Sequence, residues 1–296
     1  MKYPIPTSIL IDSSSMSQVM ECPRKAEYYI LRKREPSEER MALVYGKAVH
    51  LALANIMTGD TSKTPEQVQA EYKDINTDDW RTMSQVFATI RAYETHYLMD
   101  SFELMHKDGK PLVEIPFAIP LGELHYPGIP NPIPVIWQGR VDSIVSFEGR
   151  AYVMDHKTCS VFQGTYFDAY RKSAQMIGYT WAAQQILGPT QRVEGSVINL
   201  LISRKPTKTG TANEFKREIF VYSDEDIHEW KENILATSYT WFDYIVKGNF
   251  PMYTKQCVGQ YGRCPYYDVC HTPKAHRETV LTSNLYKDVT WSPFKE

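Results

Sequence analysis

"VIWQGRVDSIVSFEGRAYVMDHKTCS", residues 135–160, is the stretch on which the fold turns. Two runs rich in Val, Ile and aromatics flank Glu148-Gly149, the composition of strand, turn, strand. Side chains alternate between faces along a strand, so Asp155 and Lys157 share one face. A two-residue loop pairs Phe147 with Arg150, and the same register sets Asp142 directly opposite Asp155; a four-residue loop from Phe147 to Arg150 gives the same pairing. Opposed Cβ atoms lie ~5 Å apart, where two ionised carboxylates repel by about 3 kcal/mol at an effective dielectric of ~20. Shared protonation, a protein cation such as Lys157, or a bound metal would each relieve this. Hard carboxylate oxygens suit Mg²⁺ or Mn²⁺. A bulge that broke the register would instead release both carboxylates to solvent.

Working outward, residues 13–35 read as a basic amphipathic helix with several serine caps, in which Cys22 stands at a helix start and Pro23 fills a position where a missing N–H costs nothing. Residues 40–57 form a second helix, ending before Thr58-Gly59-Asp60. Residues 60–110 are a helical insertion, with helical spacing of Trp80, Met83, Phe87, Ile90, Tyr93 and Tyr97. A strand is expected over 111–120, then a proline-rich loop (Pro120, Pro127, Pro130, Pro132, Pro134). Residues 172–188 form a helix closed by Gly188, and 193–202 and 215–223 two further strands. Ser223 and Asp226 match a capping box at the head of a long helix to residue 248. The order predicts an α/β (α+β) fold, a central mixed sheet flanked by helices.

The chain has 296 residues, enough for one large domain or two small ones. With 43% hydrophobic and 23% charged residues it has the composition of a globular protein. A net charge of −2 gives no global field for nucleic acid, so any such contact must come from local patches. No apolar run reaches the length of a membrane span and no signal peptide is evident, so no membrane partner is expected and the expected location is cytoplasmic. Five cysteines in a reducing compartment point to metal or redox chemistry before disulfides. Cys22 and, far downstream, Cys257, Cys264 and Cys270 make one four-thiolate site if the termini meet. Spacing alone leaves zinc and an iron–sulfur cluster open. Cys159 has no partner in this pattern and reads as a strand residue without a role.

Taken together, "GKAVH" (46–50), "GRVD" (139–142), "DHK" (155–157) and "QMIGY" (175–179) resemble the RecB-like branch of the PD-(D/E)xK nuclease superfamily. The resemblance runs from Ser13 to His271 and is weakest over 60–110. It implies a restriction-endonuclease-like core as a single domain over 1–296. It also implies a cysteine loop, residues 250–275, that closes onto the N-terminal helix. RecB-like nucleases of the AddB type and CRISPR-associated RecB-like exonucleases hold a [4Fe–4S] cluster on one N-terminal and three C-terminal cysteines. That assigns Cys22, Cys257, Cys264 and Cys270 to a structural cluster, with zinc as second choice. One departure stands out: the family's first C-terminal gap is two residues, and here it is six.

The resemblance further implies a metal-dependent DNA exonuclease acting at ends or on single strands in recombination or repair, in a bacterium or phage-infected cell. His50, Asp142 and Asp155 would hold Mg²⁺ or Mn²⁺ with the His156 backbone carbonyl, and Glu114 could add a carboxylate. Lys157 would orient the attacking water, and Gln175 and Tyr179 would support the site. Arg24, Lys25, Arg32, Lys33, Arg204 and Lys205 are candidates for phosphate contact, where the bland reading is a solvated face. Tyr28, Tyr29, Tyr166 and Phe167 could stack on single-stranded bases or be core. No Gly-x₄-Gly-Lys-Ser/Thr loop is present, so a helicase motor or other recombination partner would be a separate protein. Two other classes compete: a DNA-binding or assembly subunit that keeps the fold without cutting, and a zinc-stabilised binding module.

Overall fold

A computed structural model describes residues 3–73, 75, 78–208, 213–259, 262–289 and 291–294. The principal elements, in chain order, are β1 (Ile9–Ile11), α1 (Ser13–Glu21), α2 (Pro23–Ala26), α3 (Met41–Thr58), α4 (Thr64–Glu71), α5 (Met83–His96), β2 (Val113–Leu124), β3 (Ile133–Phe147), β4 (Arg150–Cys159), α6 (Ala174–Leu187), β5 (Val193–Ser203), β6 (Asn213–Val221) and α7 (Asp224–Lys247). β1 runs parallel to β3, β3 antiparallel to β4, β4 parallel to β5 and β5 antiparallel to β6. This is the helix-flanked mixed sheet expected from the sequence. The sequence reading gives one domain; the residues group into two compact units, Met1–Glu39 with Phe117–Gly139 and His228–Glu296, and Arg40–Pro116 with Arg140–Ile227.

In the second unit the β3–β4 hairpin has the expected register, from Phe147↔Arg150 to Ser143↔Met154. Glu148 (φ 49°) and Gly149 (φ 75°) both adopt positive φ, the two-residue turn whose twist matches that of the strands it joins. α3 lays Tyr45, Ala48, Val49, Ala52 and Leu53 against Val68 of α4, Val86, Ile90 and Tyr93 of α5, and Leu201 of β5. By length and composition alone α3 is apolar enough to cross a membrane, which the sequence reading did not anticipate of any segment. Here it is the central core helix of its unit. Between residues 60 and 110 lie α4, α5, the short strand Glu103–Leu104 and a hairpin pairing His106–Lys107 with Lys110–Pro111.

In the first unit Trp137 of β3, wholly buried, meets Trp230 of α7 edge-on at 5.3 Å. Two expectations are corrected here. The helix read over 13–35 is broken: Cys22 is extended (φ −164°, ψ 111°) and Pro23 opens α2. After a wide helical turn over Glu27–Leu31, Lys33 (φ 53°) ends the helical path. Arg34–Pro36 then pairs antiparallel with Tyr286–Asp288. The proline-rich loop is shorter than expected: β2 runs on through Pro120 to Leu124 and β3 begins at Ile133, before Pro134, which leaves Pro127, Pro130 and Pro132 between the strands. β2 pairs with β3 off the main strand path, where a proline's missing N–H removes little from the ladder.

Candidate active site

Every residue of the proposed carboxylate site lies in the second unit. Asp155 and Lys157 share a face of β4 as the period of two requires, and the Lys157 ammonium stands 2.7 Å from Asp155 Oδ2. Gln175, in the first turn of α6, closes a triangle. Its Nε2 donates to Asp155 Oδ1 at 2.9 Å, and its Oε1 accepts from Lys157 Nζ at 3.1 Å. Ser173 caps α6 by accepting from the Met176 N–H, which fixes where that first turn starts. Tyr179 is one turn further along α6 and buried.

Asp142 is the residue on β3 just beyond the last paired position, Ser143↔Met154. Its Oδ2 accepts the His156 backbone N–H at 2.7 Å and stands 3.3 Å from His50 Nδ1. Neither carboxylate is released to solvent: the Asp155 side chain is 1% exposed and that of Asp142 13%. α3 delivers His50 by a close approach to β4 at Gly46, where an added Cβ would sit 3.3 Å from Thr158 Oγ1. Glu114 lies 3.8 Å from Arg140.

The charges interact strongly. Burial raises the Asp142 pKa, but the neighbouring His50, through charge and hydrogen bond, more than reverses this and holds the carboxyl well below its usual range. Burial pushes Asp155 up to about 6 against the pull of Lys157, with Asp142 adding to the rise. His50 is lowered by burial and raised further by Asp142, so its net shift is upward. Lys157 follows the same logic: burial lowers it, Asp155 and Asp142 outweigh that, and the ammonium stays charged. Glu114 is pushed up to about 7 by burial and then by Asp142.

A row of polar residues behind the site escaped the sequence reading. In register across three strands stand His156, Asn199 and Arg217. Asn199 Oδ1 accepts from Arg217 Nε at 2.9 Å, so its Nδ2 is the donor to His156 Nδ1 at 2.8 Å. Arg217 is in turn held by both oxygens of Asp100 (2.6 and 2.7 Å) and donates to Tyr93 Oη. Burial lowers the His156 pKa to about 3, so the ring is neutral, with its proton on Nε2. The row fixes the residue whose N–H holds Asp142. Its sequence signal was a lone Asn in the apolar run "VINLLI".

The donors suit a hard divalent cation: the buried Asp155 carboxylate, the half-buried Asp142, an imidazole and a third carboxyl, Glu114, whose pKa is raised by burial and by Asp142. Asp155 Oδ2 also accepts no well-aligned hydrogen bond, since the Lys157 contact is an ion pair by distance only. In the conformation described, Asp142 is engaged by His50 and His156, and Asp155 by Lys157 and Gln175. Among the described residues, no three His, Cys, Asp or Glu side chains stand arranged around a common metal position.

The pattern of the PD-(D/E)XK nuclease superfamily matches residues 13–271. The chain belongs to this superfamily. Among solved structures, the chain is similar to a candidate exonuclease from Eubacterium rectale, with 14% identity, a TM-score of 0.53, and coverage of 90% of this chain and 89% of that one. That likeness speaks to fold alone. A second structure, SSO0001, is 12% identical over 84% of this chain and 81% of its own, and its TM-score of 0.34 is too low to argue from. No curated protein matches the sequence.

In this superfamily member the four cysteines lie in the first unit. The Tyr253 N–H donates to Cys22 Sγ at 3.5 Å, and Arg24 Nε donates to the Phe250 carbonyl at 2.8 Å. Burial raises the Cys264 pKa, as do Cys22 and Cys257; burial raises Cys270, as do Cys264 and Cys22. The four thiols are therefore electrostatic neighbours, although they too form no ligating group among the described residues. Cys159 is pushed up to about 11 by burial, an inert thiol.

The basic residues put forward for phosphate contact are mostly engaged within the chain. Arg24 stands 3.8 Å from Glu27, Lys25 2.6 Å from Glu21, Arg32 pairs with Glu278 and Arg204 with Glu214. Lys33 and Lys205 are exposed. Tyr28 and Tyr29 pack with Tyr266, Val269, Leu281 and Tyr286, so they are core rather than base-stacking residues.

Proposed function

We propose that this chain is a metal-dependent deoxyribonuclease of the RecB-like branch, an exonuclease acting on DNA ends or single strands in recombination or repair in the cytoplasm of a bacterium or phage-infected cell. One observation carries the reading. His50 from α3, Asp142 from β3, Asp155 and Lys157 from β4 and Gln175 from α6 converge in a single charged cluster.

His50, Asp142 and Asp155, with the His156 carbonyl and Glu114, would hold Mg²⁺ or Mn²⁺. When bound, such an ion supplies Lewis acidity and neutralises phosphate charge. The chain's own residues supply the rest. Lys157 presents a permanent cation beside the site, where negative charge builds on the phosphoryl oxygens during attack. Gln175 bonds to both partners of the Lys157–Asp155 ion pair and so keeps the ammonium aimed. Neutral His156, pinned by Asn199, keeps Asp142 in place without adding charge.

An iron–sulfur cluster on Cys22, Cys257, Cys264 and Cys270 belongs to the same proposal, supported by the shared neighbourhood of the four thiols and by the resemblance. Its role would be structural. A separate recombination protein is the expected partner.

The test is hydrolysis of end-labelled single- and double-stranded DNA with Mg²⁺ or Mn²⁺ by protein purified without air. Wild type is expected to cut and Lys157→Ala to bind DNA but lose cutting by at least ~100-fold. Equal cleavage by both proteins, or none by either, removes the enzymatic reading.

A further inference from the structure

Four aromatic side chains cluster on the connection that follows Cys159. Phe162 packs against Tyr166 at 5.9 Å and Phe167 at 5.6 Å; Tyr166 meets Phe167 at 5.8 Å and Tyr170 at 5.4 Å. None of the four is buried; each is part-exposed, and the residues between Phe162 and Tyr166 lie open to solvent. A cluster serving only to close its loop would gain most by burying its rings.

The cluster adjoins the carboxylate site. Lys157 Nζ stands 5.8 Å from the centre of the Tyr170 ring, and Asp155 is among the groups that raise the Tyr166 phenol, after burial and Tyr170. At its other end Lys216 Nζ lies 5.2 Å from the Phe162 ring. Part-exposed rings between two cations suit a chain that alternates flat apolar faces with negative charge. Bases can stack on the rings while the backbone follows the lysines. Bases in a duplex are already stacked on one another and present no free face.

We infer that Phe162, Tyr166, Phe167 and Tyr170 form a base-stacking platform for single-stranded DNA entering the carboxylate site. The inference rests on the nuclease proposal for its substrate class. It predicts little sequence preference, because every base has a π-face.

The probe is a short fluorescent single-stranded oligonucleotide in EDTA, where no turnover occurs, and a set in which one abasic position is walked along it. Wild type is expected to bind about 10-fold more weakly when the missing base falls at one or two adjacent positions. The variant Phe162→Leu/Tyr166→Leu keeps apolar side chains but not the rings, and gives up the Tyr166–Tyr170 hydroxyl contact at 3.3 Å. It is expected to fold with an unchanged circular dichroism spectrum and to bind every oligonucleotide of the set with one reduced affinity. Indifference of wild type to every abasic position overturns the platform, as does full discrimination by the leucine variant. Cleavage is not read here. A protein that discriminates yet never cuts DNA would keep the platform and lose the nuclease reading, and one that cuts without discriminating would do the reverse.

Discussion

Glu114 holds an unusual backbone for its residue type, with φ at 50° in the region that favours glycine. Its carboxyl faces Asp142, His50 and Arg140, and burial followed by Asp142 repulsion pushes its pKa up to about 7 from 4.5. The sign of the linkage is unusual for an acid. The folded chain binds this proton more tightly than the unfolded chain, so the group costs nothing below pH ~4.5 and destabilises as pH rises through ~7. Glu114→Gln should therefore raise the melting temperature in chelator at pH 8 and leave it unchanged at pH 4. An equal gain at both values would show that the gain does not come from ionisation. At this scale the sequence was most readable where chemistry follows a strand's period of two, as for Asp155 and Lys157. The link from Asp100 through Arg217 and Asn199 to His156 was hidden. It depends on the lateral register of β4, β5 and β6, and no spacing along the chain records that.

Elements were legible where local chemistry dictates geometry and obscure where tertiary pairing overrides it. Glu148-Gly149 announced its turn, and the hairpin register followed from it. The break at Cys22-Pro23 was half visible, because proline opens helices as readily as it ends them. The strand over Pro116 was legible, but its run past Pro120 to Leu124 and the start of β3 ahead of Pro134 were not, since an off-path strand tolerates residues that composition assigns to loops. Gly195 was not read at all, yet it sets the sheet. It sits at the bulge where β4 pairing jumps from Val193 to Gly195, and a Cβ there would lie 1.8 Å from the Phe220 carbonyl oxygen on β6. Backbone, unlike the end of a side chain, cannot step aside cheaply. Gly195→Ala should destabilise the protein by about 2–4 kcal/mol in chemical denaturation. Gly164→Ala, with nothing within 4 Å of the new methyl, should stay within ~0.5 kcal/mol of wild type. Equal costs at the two sites would mean the bulge relaxes freely.

At the scale of the whole molecule, the two candidate centres fall in different units: the carboxylates in the unit built from Arg40–Pro116 and Arg140–Ile227, the cysteines in the other. Around the cysteines the buried core is a small cluster dominated by Tyr28, Tyr266 and Tyr286, whose hydroxyls must also be satisfied. Tyr266 donates to the Arg34 carbonyl and Tyr286 to that of Pro265. Such a core buries little purely apolar surface, and metal–thiolate bonds would add folding free energy where it is scarce. Protein purified without air should then carry about four irons per chain, with the visible absorbance of a cluster, and Cys264→Ser should lose both. Limited proteolysis of that variant should cut first near residues 30–39 and 250–289, while residues 140–227 persist as a resistant fragment. A variant that keeps its iron and its protease resistance would reduce these cysteines to small core residues, and zinc in the wild type would replace the cluster while leaving the stabilising role intact.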